Sequence, residues 1–462
     1  MVGKQFEFED QRDGIVPPLE EKKVVDEVYT DNDVASEEIV KDWDDKEEGK
    51  LRRKIDIILI PILALAFFGL QIDRGNISAA LTSTITEDLG VTTNQINIGT
   101  QLLSAGIVIT EIPSNIILQR IGPQVWLSAQ LIAWGLVGTF QAFVQSYPAY
   151  LATRLLLGLL EGGFIPGALY YLSTWYKRPE TSFRTTLFFY GQMFAGATSS
   201  LISAGLLKLD GKCELAGWRW IFLVEGLITI FAAILFILFI PKKAGDGSPL
   251  ISMGRWSYFS PREKRIILDR VLLDDPLKTR EHIKITGRDI WKTVTQTTTL
   301  QHMLITLVAM SGFQGLNTYT PSMIKSFGFS AVRANALASV PVYASIVWTT
   351  ILAYSSDKIG HRGPFVLLCI TWNVISMHVL NVGWLSFYCK TPQERSISMA
   401  LIVMSANLSG ISGAQIFRSS DAPLYIHGLT AICALAAASW VQTLVLNLQY
   451  LFRRKKTQAG TV

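Results

Sequence analysis

From Ile55 onward the chain is a succession of apolar runs of about 17 to 25 residues, the length an α-helix needs to cross roughly 30 Å of hydrocarbon. No other feature constrains the fold so tightly. A backbone in lipid must pair its own N–H and C=O groups, and a helix does so within each run. The first six runs are Ile55 to Gln71 (continuing toward Ala80), Ile96 to Leu118, Val125 to Val144, Ala149 to Leu172, Thr185 to Leu207 and Trp220 to Ile240. Five more follow a polar interval: Leu300 to Met323, Ala336 to Tyr354, Phe365 to Phe387, Ile397 to Phe417 and Leu424 to Leu448. The expected fold class is therefore an all-α polytopic membrane protein.

Composition agrees: 49% of the 462 residues are hydrophobic and 17% charged, which excludes an ordinary soluble enzyme. The charge is unevenly spread. Residues 1–54 carry 17 acidic against 10 basic side chains and contain Pro17-Pro18, the signature of a disordered cytosolic tail. The remainder is basic, and because the aromatic residues sit in the apolar runs rather than among Lys and Arg, that charge is read as loop charge facing anionic lipid, with no nucleic-acid partner. The cysteines at 213, 369, 389 and 433 form no C-x-x-C pair, so neither a metal site nor a disulfide framework is expected.

The domain reading is a tail over 1–54, a six-helix bundle over 55–241, a cytosolic central loop over 242–299, a second bundle over 300–448 and a basic cytosolic tail over 449–462. The central loop holds 12 Lys or Arg and 7 Asp or Glu, and Ser260-Pro261-Arg262-Glu263 marks the start of an amphipathic helix within it. Lys50, Arg52, Arg53 and Lys54 before span one, Arg120 after span two and Lys177, Arg178 and Arg184 after span four place the amino terminus in the cytosol. With no cleavable leader pattern, span one is expected to direct insertion. Gln119-Arg120-Ile121-Gly122 recurs 238 residues later as Asp357-Lys358-Ile359-Gly360, each after the second helix of its half, which points to a two-half design.

The segment Ala353 to Arg362 resembles the loop signature G-x-x-x-D-R-x-G-[RK]-[RK] of the major facilitator superfamily. The first-half copy departs from it as one branch of that superfamily does, with Asn115, Gln119 and Pro123-Gln124 at the altered positions. That branch is the anion:cation symporters, and Ile72 to Ile77, Glu111 to Asn115, Arg154 to Gly167, Gly217 to Phe222 and Phe417 to Pro423 resemble its fungal allantoate permease-like group. The resemblance implies a two-half helical bundle, import of a small carboxylate-bearing solute with protons across a plasma membrane, and no cofactor. The second half is one span short of that pattern: Lys390 to Arg395 should follow a tenth span, but only nine precede it, so either one span's worth of sequence is missing or the carboxyl half packs differently.

Charges within spans are functional candidates, because an ionised group in hydrocarbon costs several kcal/mol unless paired or hydrated, roughly 3 by insertion scales. Arg154 and Glu161 lie seven residues apart, two helical turns, and so share a face. Arg154 can fork two hydrogen bonds to a substrate carboxylate, and Glu161 can carry a proton; alternatively the two form a helix contact that only holds the bundle. Asp73 and Arg74, adjacent in span one, point in different directions. By resemblance Asp73 is a proton-coupling carboxylate and Arg74 a substrate or gating group, against the alternative of an interfacial anchor. Asn407, in a small-residue helix, either closes the site from the second half or makes an interhelical hydrogen bond. Glu111, before Pro113, and Glu225, expected to pair with Arg219, are assigned structural roles. By resemblance Asp357 and Arg362 are gating residues of the cytosolic latch.

No G-x-x-x-x-G-K-[ST] loop is present, so a proton gradient is the expected energy source; one proton moving inward gains about 2.3 kcal/mol per 100 mV. The five histidines form no H-E-x-x-H or clustered box, and no enzyme is expected. Export of a metabolite, or a non-transporting sensor or relic suggested by the short second half, are the competing readings. The substrate and oligomeric state stay open, a monomer being the simplest expectation.

Overall fold

The computed structural model describes residues 41–274, 286–359, 381, 384–385, 389, 392–421 and 425–459. From Trp43 onward they form one unit. The first half comprises α1 (Asp45–Ala80), α2 (Thr93–Ile121), α3 (Pro123–Phe140), α4 (Tyr147–Glu161), α5 (Phe164–Ser173), α6 (Arg178–Leu206) and α7 (Gly217–Phe239). The polar interval holds α8 (Pro261–Asp274) and α9 (Gly287–Val294), and the second half contains α10 (Thr297–Ser326), α11 (Ala331–Ile359), α12 (Pro392–Gly413) and α13 (Ile426–Ala459). The fold is an all-helical two-half bundle. Among the described residues, five segments, 45–80, 93–121, 147–173, 217–239 and 426–452, are by length and composition alone apolar enough to cross a membrane.

The helix starts follow local chemistry. Asp44 accepts a hydrogen bond from the Glu47 N–H and so caps α1, while Asp45, Glu47 and Glu48 occupy the first turn, where the helix dipole favours negative charge. This corrects the tail boundary expected at Lys54: residues 45–54 are helical and extend span one beyond its apolar run. Thr92 and Gln95 form a reciprocal capping box at α2. Gly122 separates α2 from α3 with φ of 100°, a backbone conformation open to glycine at little cost.

The expected amphipathic helix of the central loop is α8, capped through Ser260 and Glu263, each bonding the other's backbone N–H. It docks on the amino-terminal end of α1 and on the start of α6. Lys54 Nζ reaches both oxygens of Glu263 at 2.8 and 2.9 Å, and Arg262 Nε meets Glu47 at 2.8 Å. Arg270 is fully buried, donating to the Trp175 carbonyl at 2.8 Å and to Glu180 Oε1 at 3.3 Å. Nearby, Arg184 grips Asp56 with two bonds of 3.0 and 2.7 Å, the bidentate fork for which arginine is suited. The carboxyl of Glu263 is pushed up by partial burial, but its bonds from Lys54 and from the Ser260 backbone outweigh this and hold it below the usual carboxylate range.

The first-half core is built on aromatic and aliphatic side chains from α1, α3, α5 and α6, with Phe67 stacked on Phe188 at 4.5 Å and Trp134 edge-on to Phe164 at 4.9 Å. Glycines let backbones approach closely. A Cβ on Gly158 would lie 2.1 Å from the Leu103 carbonyl oxygen, so α2 and α4 meet almost backbone to backbone. The sequence run Ala149 to Leu172, expected as one span, is two helices: α4 ends at Glu161, Gly163 has φ of 82°, and α5 begins at Phe164. The run Phe365 to Phe387, on which the missing-span question turns, lies outside the described residues except at 381, 384 and 385, and so does Arg362.

A central polar site between the two halves

Two of the intramembrane charges, Arg74 and Glu161, meet an amide of the second half where α1, α4 and α12 converge. Arg74 Nε donates to Glu161 Oε2 at 2.6 Å, and Arg74 Nη1 reaches Asn407 Oδ1 at 3.3 Å. Glu161 is 2% exposed, whereas the Arg74 side chain keeps 20% of its surface accessible. Asn407 also donates to the carbonyl of Val403 at 2.8 Å, so its amide is oriented by its own helix while its oxygen faces Arg74. The contact joins the first half to the second. Of the two sequence alternatives for Asn407, the interhelical hydrogen bond is formed, with Arg74 as its partner.

Arg154 is 1% exposed and is held differently. Its guanidinium carbon lies 5.4 Å from the ring centres of both Tyr150 and Phe222, and its Nη2 donates to Asn76 Oδ1 at 3.3 Å. Two ring faces can compensate a desolvated guanidinium by about 1 to 4 kcal/mol together. Among the described residues its Nε has no hydrogen-bond partner and it makes no ion pair. The expected common face of Arg154 and Glu161 is present, but the direct contact offered as an alternative is not formed: each residue reaches across to α1, to Asn76 and Arg74 respectively.

Asp73, 1% exposed, points away from Arg74 as adjacent helix positions must. Its carboxyl packs against Gly138 of α3, where a Cβ would lie 3.4 Å away, and among the described residues neither oxygen accepts a hydrogen bond within 3.5 Å. Such burial among helices is not that of an interfacial anchor. The charged groups acting on it are Glu161, Glu225 and Arg154.

The other two acids have different partners from those expected. Glu225 accepts from Ser199 and Ser203 of α6, both at 3.1 Å. Arg219, six residues away and so turned to a different face, donates instead to the Ala142 carbonyl at 2.7 Å and covers Trp218 at 4.5 Å. Glu111 does not serve its own proline-containing helix; its Oε2 accepts from the Gly163 N–H at 3.0 Å, at the break in span four. Asp357 lies two residues before the end of α11. Its side chain, and all of Arg362, lie outside the described residues, and the expected latch lies there with them.

Sequence reasoning passed over Asn76, Gln130, Tyr150 and Phe222. Only Asn76 carried a usable signal: it lies two positions beyond Arg74 within the I-D-R-G-N-I motif, a polar side chain at the end of an apolar run.

Beyond the site, toward the carboxyl end of α1, the halves are tied together. Ser78 Oγ donates to the Thr318 carbonyl at 2.8 Å, Lys325 Nζ to the Thr82 carbonyl at 2.8 Å, and Asn335 Nδ2 to Thr82 Oγ1 at 2.9 Å. Tyr319 Oη donates to Asn97 at 2.5 Å.

A family model described as Major Facilitator Superfamily matches residues 63–420. The chain belongs to the Major Facilitator Superfamily. It is an integral membrane protein and a membrane transporter. Among similar proteins, an uncharacterized transporter of Saccharomyces cerevisiae is 25% identical over 444 residues, covering 89% of this chain and 82% of the other. A protein of Agrobacterium vitis whose name assigns it provisionally to tartrate transport is 28% identical over 402 residues, covering 86% and 81%. The fold is shared with the nucleoside transporter NupG, at a TM-score of 0.58 and 11% identity over 84% of this chain and 98% of that one. It is shared too with the superfamily's proton:xylose symporter XylE, at a TM-score of 0.54 and 14% identity over 87% and 89%.

Proposed function

We propose that the protein imports a small organic anion together with protons, as a member of the anion:cation symporter branch and its allantoate permease-like group. The observation that carries this reading is the 2.6 Å bond from Arg74 to Glu161, made by an arginine that also reaches Asn407 across the two halves. While Glu161 is ionised it occupies Arg74. A proton on Glu161 cancels that attraction and frees a guanidinium fork for a substrate carboxylate. Arg154, buried with aromatic rings and an amide but no carboxylate partner among the described residues, supplies a second positive charge for the same anion. Asp73 is a second proton carrier, buried beside the same charges.

Coupling to movement follows from Asn407. A substrate that takes over Arg74 also replaces a bond between the halves, so loading and rearrangement draw on the same contacts. With the amino terminus in the cytosol of a plasma-membrane protein, the tied end at Ser78, Thr82, Lys325 and Asn335 is the outer one, and this is an outward-closed state. Asp357 and Arg362 gate the opposite end. The tartrate-named relative fits a carboxylate substrate.

The test is uptake of radiolabelled L-tartrate, allantoate and gluconate into proteoliposomes under an imposed inward proton gradient. Accumulation of at least one that collapses with a protonophore supports the reading. Uptake indifferent to the protonophore or to Arg154→Ala overturns the mechanism, and net efflux from preloaded vesicles selects export instead.

A further inference from the structure

The break between α4 and α5 leaves backbone groups without a partner in their own helix, the Gly162 carbonyl among them because the residue four positions on is Pro166, and in a membrane each unpaired one costs several kcal/mol, about 2 to 7 by transfer scales. Two side chains from neighbouring helices take them up. Glu111 of α2 accepts the Gly163 N–H at 3.0 Å. Gln130 of α3 donates to the carbonyls of Leu160 at 2.9 Å and Gly162 at 2.8 Å. The break is also shaped for its neighbours: a Cβ on Gly162 would lie 2.0 Å from Thr110 Oγ1, and one on Gly163 2.4 Å from Ser114 Oγ. Pro166, in the first turn of α5, brings no N–H that would need a partner there.

Glu161 is the last residue of α4 and stands one position before this break. We infer that Glu111 and Gln130 are positioning residues: by holding span four open at Gly162-Gly163 they set where the Glu161 carboxyl meets Arg74. The inference rests on the proton-carrying role proposed for Glu161. An α4 that ran on without interruption would carry Glu161 mid-helix, with its backbone fixed by bonds on both sides. At the open end, its place is decided instead by the two braces from α2 and α3. The charged groups around Glu161 are Arg74 and Asp73 on α1 and Arg154 on α4, and Glu111 in turn feels Arg74.

The experiment is an infrared difference titration of the purified full-length protein in lipid nanodiscs, which needs no substrate. The Glu161 carboxyl band is identified as the one that Glu161→Gln removes. Glu111→Ala and Gln130→Leu are expected to move the midpoint of that band by about one pH unit, the tenfold that one charge-assisted hydrogen bond is worth. Glu111→Gln, whose amide oxygen still accepts the Gly163 N–H, keeps the wild-type midpoint. Should Glu111→Ala not fold, Glu111→Asp against Glu111→Gln carries the same comparison, since Asp is one methylene too short to reach. If no band is lost in Glu161→Gln, the proton-carrying role itself fails. If the band exists but stays in place in Glu111→Ala, Glu111→Asp and Gln130→Leu, the positioning role alone is overturned.

Discussion

Arg74 and Glu161, 87 residues apart in the chain, form a 2.6 Å ion pair in which the acid is buried and the base still partly accessible. The asymmetry sets their roles. The accessible partner is the one an incoming anion can meet, and the buried partner must find its compensation within the protein.

Replacing Arg74 by Lys keeps the charge but loses the fork that reaches Glu161 and Asn407 at once. Uptake is expected to fall about 10- to 100-fold, corresponding to one or two charge-assisted hydrogen bonds. Glu161→Gln should behave differently, retaining substrate binding while losing the pH dependence of uptake. Initial rates measured across a series of external pH values separate the two, and a Glu161→Gln variant with an unchanged profile would falsify the coupling scheme.

The Arg154 guanidinium lies over the rings of both Tyr150 and Phe222. Phe222→Leu removes one ring face and is expected to weaken substrate affinity about 2- to 10-fold, in line with a cation–π contact of about 0.5 to 1.4 kcal/mol, with little loss of maximal rate. Arg154→Ala should abolish uptake. Saturation kinetics distinguish these outcomes, and equal KM values for wild type and Phe222→Leu would remove the rings from the account.

Docking of α8 should depend on pH in one direction. Glu263 is held below its ordinary range by Lys54 and Ser260 despite partial burial, so its folded form binds the proton less readily than the unfolded chain. The stabilisation is therefore complete above the unfolded carboxylate value of about 4.3 and is lost as pH falls through the lower folded value. Protection of residues 261–274 against hydrogen exchange, corrected for the intrinsic rate, should be flat from pH 7 to about 5 and fall below that, and Lys54→Ala should lower protection at neutral pH and weaken this pH dependence. Identical profiles for both proteins would show that this bond does not hold the helix.

The close contact of α2 and α4 gives a stability prediction with an internal control. Gly158→Ala forces a methyl toward the Leu103 carbonyl and is expected to cost about 1 to 3 kcal/mol through overpacking. Gly205, inside α6 with open space around it, should accept Ala at no cost or gain up to about 1 kcal/mol from helix propensity. Thermal unfolding in detergent, followed by tryptophan fluorescence, reads both.

Several elements of the site were legible because their physics is local. Asp73, Arg74, Arg154 and Glu161 stand out as ionisable residues in apolar runs, where each needs a reason to exist. The seven-residue spacing of Arg154 and Glu161 correctly put both on a buried face. The start of α8 at Pro261 followed from its capping chemistry. The break in span four was not legible: its run, apart from Arg154 and Glu161, stays apolar on both sides of the glycines, and glycine pairs in membrane helices commonly serve packing. What distinguishes this pair is the positive φ of Gly163 and the two braces waiting on other helices.

Residue order alone indicated which segments are long and apolar enough to cross a membrane, roughly where helices begin and which charges lie within apolar runs, because these depend on hydropathy and on contacts within one or two turns. Tertiary structure decided the pairings: Glu161 with Arg74 rather than Arg154, Glu225 with two serines rather than Arg219, and Glu111 with the backbone of another span. Helical periodicity says which side of a helix a residue occupies. Which helix faces that side is settled only when segments tens to hundreds of residues apart pack together.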